Sequence, residues 1–141
     1  MSAPSFPDWL AITEVKARYC RCLDTKDWAG YADVFTEDAV LDTTGAGGKR
    51  IEGRDAAVDY VRSSITDDVI TTHHVHAPEI SIDGDTATVI WAMQDRNIWP
   101  NGRTLLGFGH YHERYVRQDG QWRIAESRLT RINIEMTPPT T

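Results

Sequence analysis

The chain lacks the features that would send it out of a reducing compartment or onto a charged polymer. Only two of its 141 residues are cysteines, Cys20 and Cys22. On a helix that spacing turns the side chains about 200° apart, so they do not pair with each other and both read as reduced thiols. No apolar run approaches the ~20 residues needed to span a bilayer, and the opening "MSAPSFPDW" has no basic region followed by an apolar one. The expectation is a cytoplasmic protein without a membrane partner. Basic residues are in the minority, 15 Lys and Arg against 21 Asp and Glu, and the two signs are interspersed. That balance speaks against a nucleic-acid partner. Also missing are a Walker loop, a GxSxG elbow, an HExxH helix and a CxxC pair. The glycine run "GAGG" at 45–48 does not join a strand to a helix as phosphate binding requires.

What is present is a helical first half and a β-rich second half. Trp9, Ile12, Val15, Tyr19 and Cys22 or Leu23 recur at steps of three and four, which predicts a helix capped by Asp8 and ending near Asp24. A short helix over "DWAGYADVF", capped by Asp27, is expected to bury Trp28, Tyr31 and Phe35. A third follows at "GRDAAVDYVRSSI". Beyond it, "ITTHHVH", "EISID", "ATVIWAMQDRNIW", "LLGFGHYHERYVR" and "WRIAESRLTRINI" read as strands. The turns "DGDT", "PNGR" and "QDGQ" between the last four predict an antiparallel meander. Three N-terminal helices and one large antiparallel sheet make an α+β domain, in which the sheet curls over the helices and encloses a pocket. It is expected to occupy residues 1–135, with 136–141 as a flexible tail.

Groups able to carry chemistry are few: Asp24, Asp42, Asp95 and the five histidines at 73, 74, 76, 110 and 112. Strand alternation places His74 and His76 on one face and His73 on the other, and it puts His110 and His112 together. Nothing flanks them as zinc ligands are usually flanked, so no metal is expected. General acid-base catalysis remains, with a histidine held by a carboxylate. Asp24 at a helix end can supply that carboxylate, or it can be a solvated helix terminus. Tyr19 lies on the apolar stripe. Arg128, mid-strand among apolar residues, would need an anionic partner if buried.

"RYCRCLDTKDW", "TTHHVHAPEISIDGDTATV" and "GFGHYHERYVRQDGQWRI" together resemble the SnoaL-like branch of the cystatin-like cone fold. That superfamily includes nuclear transport factor 2, ketosteroid isomerase and scytalone dehydratase. "LDTKDW" is similar to the aspartate-bearing segment of scytalone dehydratase and bile acid 7α-dehydratase, whose aspartate orients a catalytic histidine. The resemblance places the aspartate at Asp24. With hexachlorocyclohexane dehydrochlorinase included, it places the histidine at His73 and assisting groups at Tyr19 and Arg128. It also assigns Asp95 and Tyr111 to the pocket. Leu23 departs from the pattern, since scytalone dehydratase has tyrosine immediately before its aspartate.

The resemblance implies a cofactor-independent lyase of the dehydratase type, with a ketosteroid isomerase-like or polyketide cyclase-like isomerase, or a non-catalytic binding domain, as alternatives. Trp91, Tyr111, Phe35 and Trp28 are candidates for an apolar wall around a hydrophobic, polycyclic or steroid-like substrate. The sheet face opposite the pocket, carrying His110 and His112, is expected to be aromatic-rich and to form a homodimer or homotrimer.

Overall fold

The computed structural model describes residues 5–140. Residues 1–4, at the start of "MSAPSFPDW", and Thr141, the last of the expected tail, lie outside the described residues. Helix α1 spans Phe6–Thr25, α2 Trp28–Asp33 and α3 Arg54–Ser64. The strands are β1 (Phe35–Asp42), β2 (Arg50–Glu52), β3 (Ile70–Val75), β4 (Glu79–Asp83), β5 (Thr86–Ile98), β6 (Thr104–Gln118) and β7 (Gln121–Thr137).

The predicted stripe on α1 is the buried one: Ile12, Val15, Tyr19, Cys22 and Leu23 all face the core. Its cap lies three residues earlier than expected. Ser5 Oγ accepts from the Asp8 amide at 3.3 Å and donates to Asp8 Oδ2 at 2.9 Å, so Asp8 belongs to the first turn. There its other carboxylate oxygen receives Arg117 Nη1 at 2.9 Å and Trp122 Nε1 at 3.1 Å, which pins the helix start to the sheet. Asp27 does cap α2, accepting from the Gly30 amide at 3.0 Å, but Phe35 opens β1 instead of closing the helix.

The sheet is large, curved and unclosed, ordered β2-β1-β7-β6-β5-β3. The short strands β3 and β4 pair with successive halves of β5, so together they form one edge. All pairings are antiparallel except β1 with β7, which is parallel, so the sheet is mixed. The meander β4-β5-β6-β7 follows the predicted turns. At its last hairpin Asp119 and Gly120 take φ of 51° and 76°, the paired left-handed conformation that a two-residue Asp-Gly loop supplies. Strand β7 runs further than its sequence suggests. Met136 and Thr137 still pair with Leu105 and Thr104, and the Thr140 amide donates to the Asn101 carbonyl at 2.9 Å.

Alternation along β5 buries Ala87, Val89, Trp91, Met93 and Asp95 on the core face of the sheet. Large exposed apolar side chains gather at the start of α1 (Phe6, Trp9, Leu10) and the end of β7 (Ile132, Ile134, Met136), with Ile70 on β3. Phe108 on β6 is partly covered.

Candidate active site

Helix α1 ends at a left-handed residue, Lys26 (φ 59°), whose ammonium donates to the Val69 carbonyl at 2.6 Å. This brings the last helical turn against the first residues of β3. A carboxylate at a helix C-terminus faces the negative end of the backbone dipoles, so it needs other donors. Asp24 has three of them, all from β3. Its Oδ1 accepts from Thr71 Oγ1 at 2.9 Å and lies 2.7 Å from His73 Nδ1; its Oδ2 accepts the His73 backbone amide at 2.8 Å. An ionised carboxylate only accepts, so Nδ1 carries the proton and the neutral imidazole keeps its lone pair on Nε2.

Alternation on β3 puts Thr71, His73 and Val75 inward and His74 outward, as the sequence predicts. The Nε2 side of His73 faces a second carboxylate, Asp95 Oδ2, at 4.0 Å. Asp95 is clamped by Arg131 at 2.5 and 2.9 Å through two guanidinium nitrogens. An imidazolium formed at His73 would therefore have carboxylates on both sides.

His73 and Arg131 line a cavity of about 620 Å³ between α1, α3 and the sheet. Tyr19, Tyr111, Ser127 and Leu129 form part of its wall. Burial, then the neighbouring tyrosines, hold the Tyr19 hydroxyl well above its ordinary pKa; Tyr111 is pushed the same way by burial and nearby Cys20 and Asp95. Both remain neutral donors at physiological pH. Trp91, Phe35 and Trp28, expected in the wall, pack behind it: Phe35 stands edge-on to Tyr19 at 5.9 Å and Trp28 edge-on to Tyr31 at 5.8 Å.

Arg128 is not in the site. It is exposed on the outer face of β7, opposite His112, which bonds Thr130 at 3.0 Å. The cause is a bulge. Tyr115 pairs with Ile124 and Arg114 with Glu126, so Ala125 is the extra residue, and Ile124 and Ala125 are both buried. An unbroken strand starting from Trp122 would turn Arg128 inward; the bulge reverses the phase, and Ser127, Leu129 and Arg131 face the core instead.

A buried ion pair lies behind the tyrosines. Lys16 Nζ is 2.7 Å from Glu113 Oε2, with both side chains fully shielded. Glu113 also accepts from Ser127 Oγ at 2.6 Å and from Tyr115 OH at 2.8 Å. The ammonium sits 3.6 Å from the ring centroids of both Tyr19 and Tyr111. Neither charge stood out in the sequence, although Glu113 alternates with Tyr111 and Tyr115 and so had to share their inward face. Among the described residues no three His, Cys, Asp or Glu side chains gather as a metal cluster, and no helix is long and apolar enough to cross a membrane.

The profile of the SnoaL-like domain family matches residues 5–128. The chain belongs to the SnoaL-like domain family. Solved structures resemble this SnoaL-like chain over most of its length. A Mycobacterium tuberculosis protein of unknown function, carrying one aspartate-to-asparagine substitution, is 33 % identical with a TM-score of 0.77, covering 89 % of this chain and 72 % of that one. A Novosphingobium aromaticivorans protein provisionally described as an aromatic ring hydroxylase is 23 % identical with a TM-score of 0.88, covering 96 % of both chains. Another from that species, provisionally described as a scytalone dehydratase, is 22 % identical with a TM-score of 0.84, covering 96 % of this chain and 91 % of that one. The last two likenesses show the cystatin-like architecture, which hosts more than one chemistry.

Proposed function

We propose that this SnoaL-like protein is a small-molecule lyase that abstracts a proton from carbon and expels a β leaving group, as a dehydratase does. One observation carries the reading: a histidine whose Nδ1–H is fixed by Asp24 at 2.7 Å stands in the wall of a cavity. That is a base with its orienting group. In the proposed reaction His73 Nε2 takes a proton from a carbon next to a carbonyl. The C–H electrons form the new double bond, and hydroxide departs with a proton from Tyr19 or from the imidazolium, leaving as water. Asp24 and Asp95 stabilise the imidazolium in the meantime, and Arg131 holds Asp95 in place. The provisional description of one structural relative as a scytalone dehydratase agrees with this chemistry.

The test is a panel of β-hydroxy ketones on two- and three-ring skeletons, with product mass as the readout. Loss of the mass of water indicates elimination, whereas an unchanged mass with a shifted double bond indicates isomerisation. His73→Ala is expected to lower turnover by ~10²- to 10⁴-fold. Asp24→Asn is expected to do comparable damage by releasing the tautomer. His74→Ala, on the outer face, is expected to leave turnover intact. A folded His73→Ala protein with normal rates would refute the assignment.

A further inference from the structure

We propose that the substrate carries a carboxylate at the end remote from the reacting carbon, and that Arg103 binds it. The inference rests on the reading of this cavity as the substrate site and adds a recognition element to it. Arg103 lies just past the "PNG" turn between β5 and β6, half-buried, with its guanidinium 4.0 Å from the Trp99 ring centroid. Both residues line the cavity. Among the described residues no carboxylate pairs with Arg103, and its Nε is buried without a hydrogen-bond partner. Asn97 Oδ1, also in a residue lining the cavity, is likewise buried and unpaired. Asp42, the wall's own carboxylate, has its Oδ1 taken by the Thr44 amide and hydroxyl at 2.9 and 2.6 Å. Buried polar groups left without partners are costly, so a cavity that gathers them is shaped for a polar ligand group.

The arginine is held ready for such a group. Its backbone amide donates to Asn101 Oδ1 at 3.0 Å, and its carbonyl accepts from the Trp99 amide at 2.9 Å. Stacking on an indole fixes the plane of the guanidinium and leaves its N–H edge free for two parallel bonds to a carboxylate. Its position sets a length. His73 is level with Asp95 on β5, and Arg103 is level with Trp99, four residues further along. At ~3.3 Å per residue the two levels stand roughly 13 Å apart. A molecule bridging them has an apolar body of at least two rings between the acid and the reacting carbon.

Equilibrium binding tests this without turnover. Biphenyl-4-carboxylate and biphenyl-4-carboxamide share a shape and differ in charge at neutral pH. In calorimetric titrations the wild-type protein is expected to bind the acid at least ~10-fold more tightly than the amide. Arg103→Met is expected to bring that ratio to about one without weakening the amide, and Arg103→Gln, which keeps donors but no charge, gives the same comparison should the methionine variant fail to fold. Equal binding of acid and amide by the wild type, binding of neither at millimolar concentration, or an undiminished ratio in a folded Arg103 variant would overturn the proposal. His73→Ala should keep the wild-type ratio. Failure of the elimination assay with that ratio intact would count against the proton-transfer reading alone.

Discussion

Removing one member of the Lys16–Glu113 pair should damage the protein far more than removing both charges together. Lys16→Met leaves a carboxylate fully shielded from water, stabilised only by the hydroxyls of Ser127 and Tyr115. Breaking a buried pair in this way costs ~3–5 kcal/mol. Unfolding entropy of ~2.1 cal/mol/K per residue gives about 0.3 kcal/mol/K for this chain, so the melting temperature should fall by roughly 10–17 °C. Glu113→Gln should be of similar severity, because it strands the ammonium between two tyrosine rings. Lys16→Met with Glu113→Gln has no unpaired charge, and its amide oxygen can still accept from one hydroxyl. It should be no worse than the harsher single variant, giving a coupling of about 3 kcal/mol in a double-mutant cycle measured by urea unfolding with circular dichroism. Single variants costing less than ~1 kcal/mol, or effects that add within ~0.5 kcal/mol, would refute the argument. Tyr19, Tyr111 and Ser127 touch both this pair and the cavity, so the single variants should also loosen the pocket wall.

Three further outcomes follow from the site and its surroundings. Arg131→Met should reduce turnover sharply by freeing Asp95, whereas Arg128→Met on the outer face should leave kcat and KM near wild type; the reverse pattern would contradict the bulge-shifted phase of β7. Asp8 is held below the ordinary carboxylate range chiefly by the Trp122 indole N–H, then by Ser5. A lowered folded-state pKa gives stability that is complete above the unfolded-state value and lost as pH falls through the folded one. The gap in urea midpoint between wild type and Asp8→Ala should accordingly be wide at neutral pH and narrow in strong acid. Finally, burial pushes the Cys20 thiol up to about 11 and raises the buried Cys22 as well, so a disulfide-exchange reagent at pH 8 should find no fast-reacting thiol, with both signals appearing only on unfolding.

The sequence made some parts of this arrangement legible and hid others for identifiable reasons. Because β3 runs without interruption from Thr71 to Val75, simple alternation put His73 and His74 on opposite faces, and the family resemblance selected His73. Periodicity could place Asp24 at a helix end, but its contact with His73 on β3, made across 49 positions of chain, was legible only through the family resemblance. The arginine was misplaced because one extra residue at Ala125 reverses the side chains that follow it on β7 as far as Arg131, where a second irregularity intervenes, and no composition rule marks that bulge. Lys16 sits on the buried side of α1 while reading as a solvated charge, and only its partner on β6 explains it. Trp99 and Arg103 flank an Asn-Gly turn, and turn chemistry accounted for the segment so completely that its side chains drew no notice.

The Asp24 carboxylate grips the backbone amide of His73 and the hydroxyl of Thr71 as well as the imidazole. Two of its three bonds would survive replacement of the histidine, and they tie a helix to an edge strand whatever the pocket does. A descendant that had abandoned catalysis would still have reason to keep this aspartate, while nothing comparable would preserve the imidazole. In comparing such proteins, the aspartate therefore speaks mainly for architecture. The histidine is the better witness to whether a given lineage still performs chemistry.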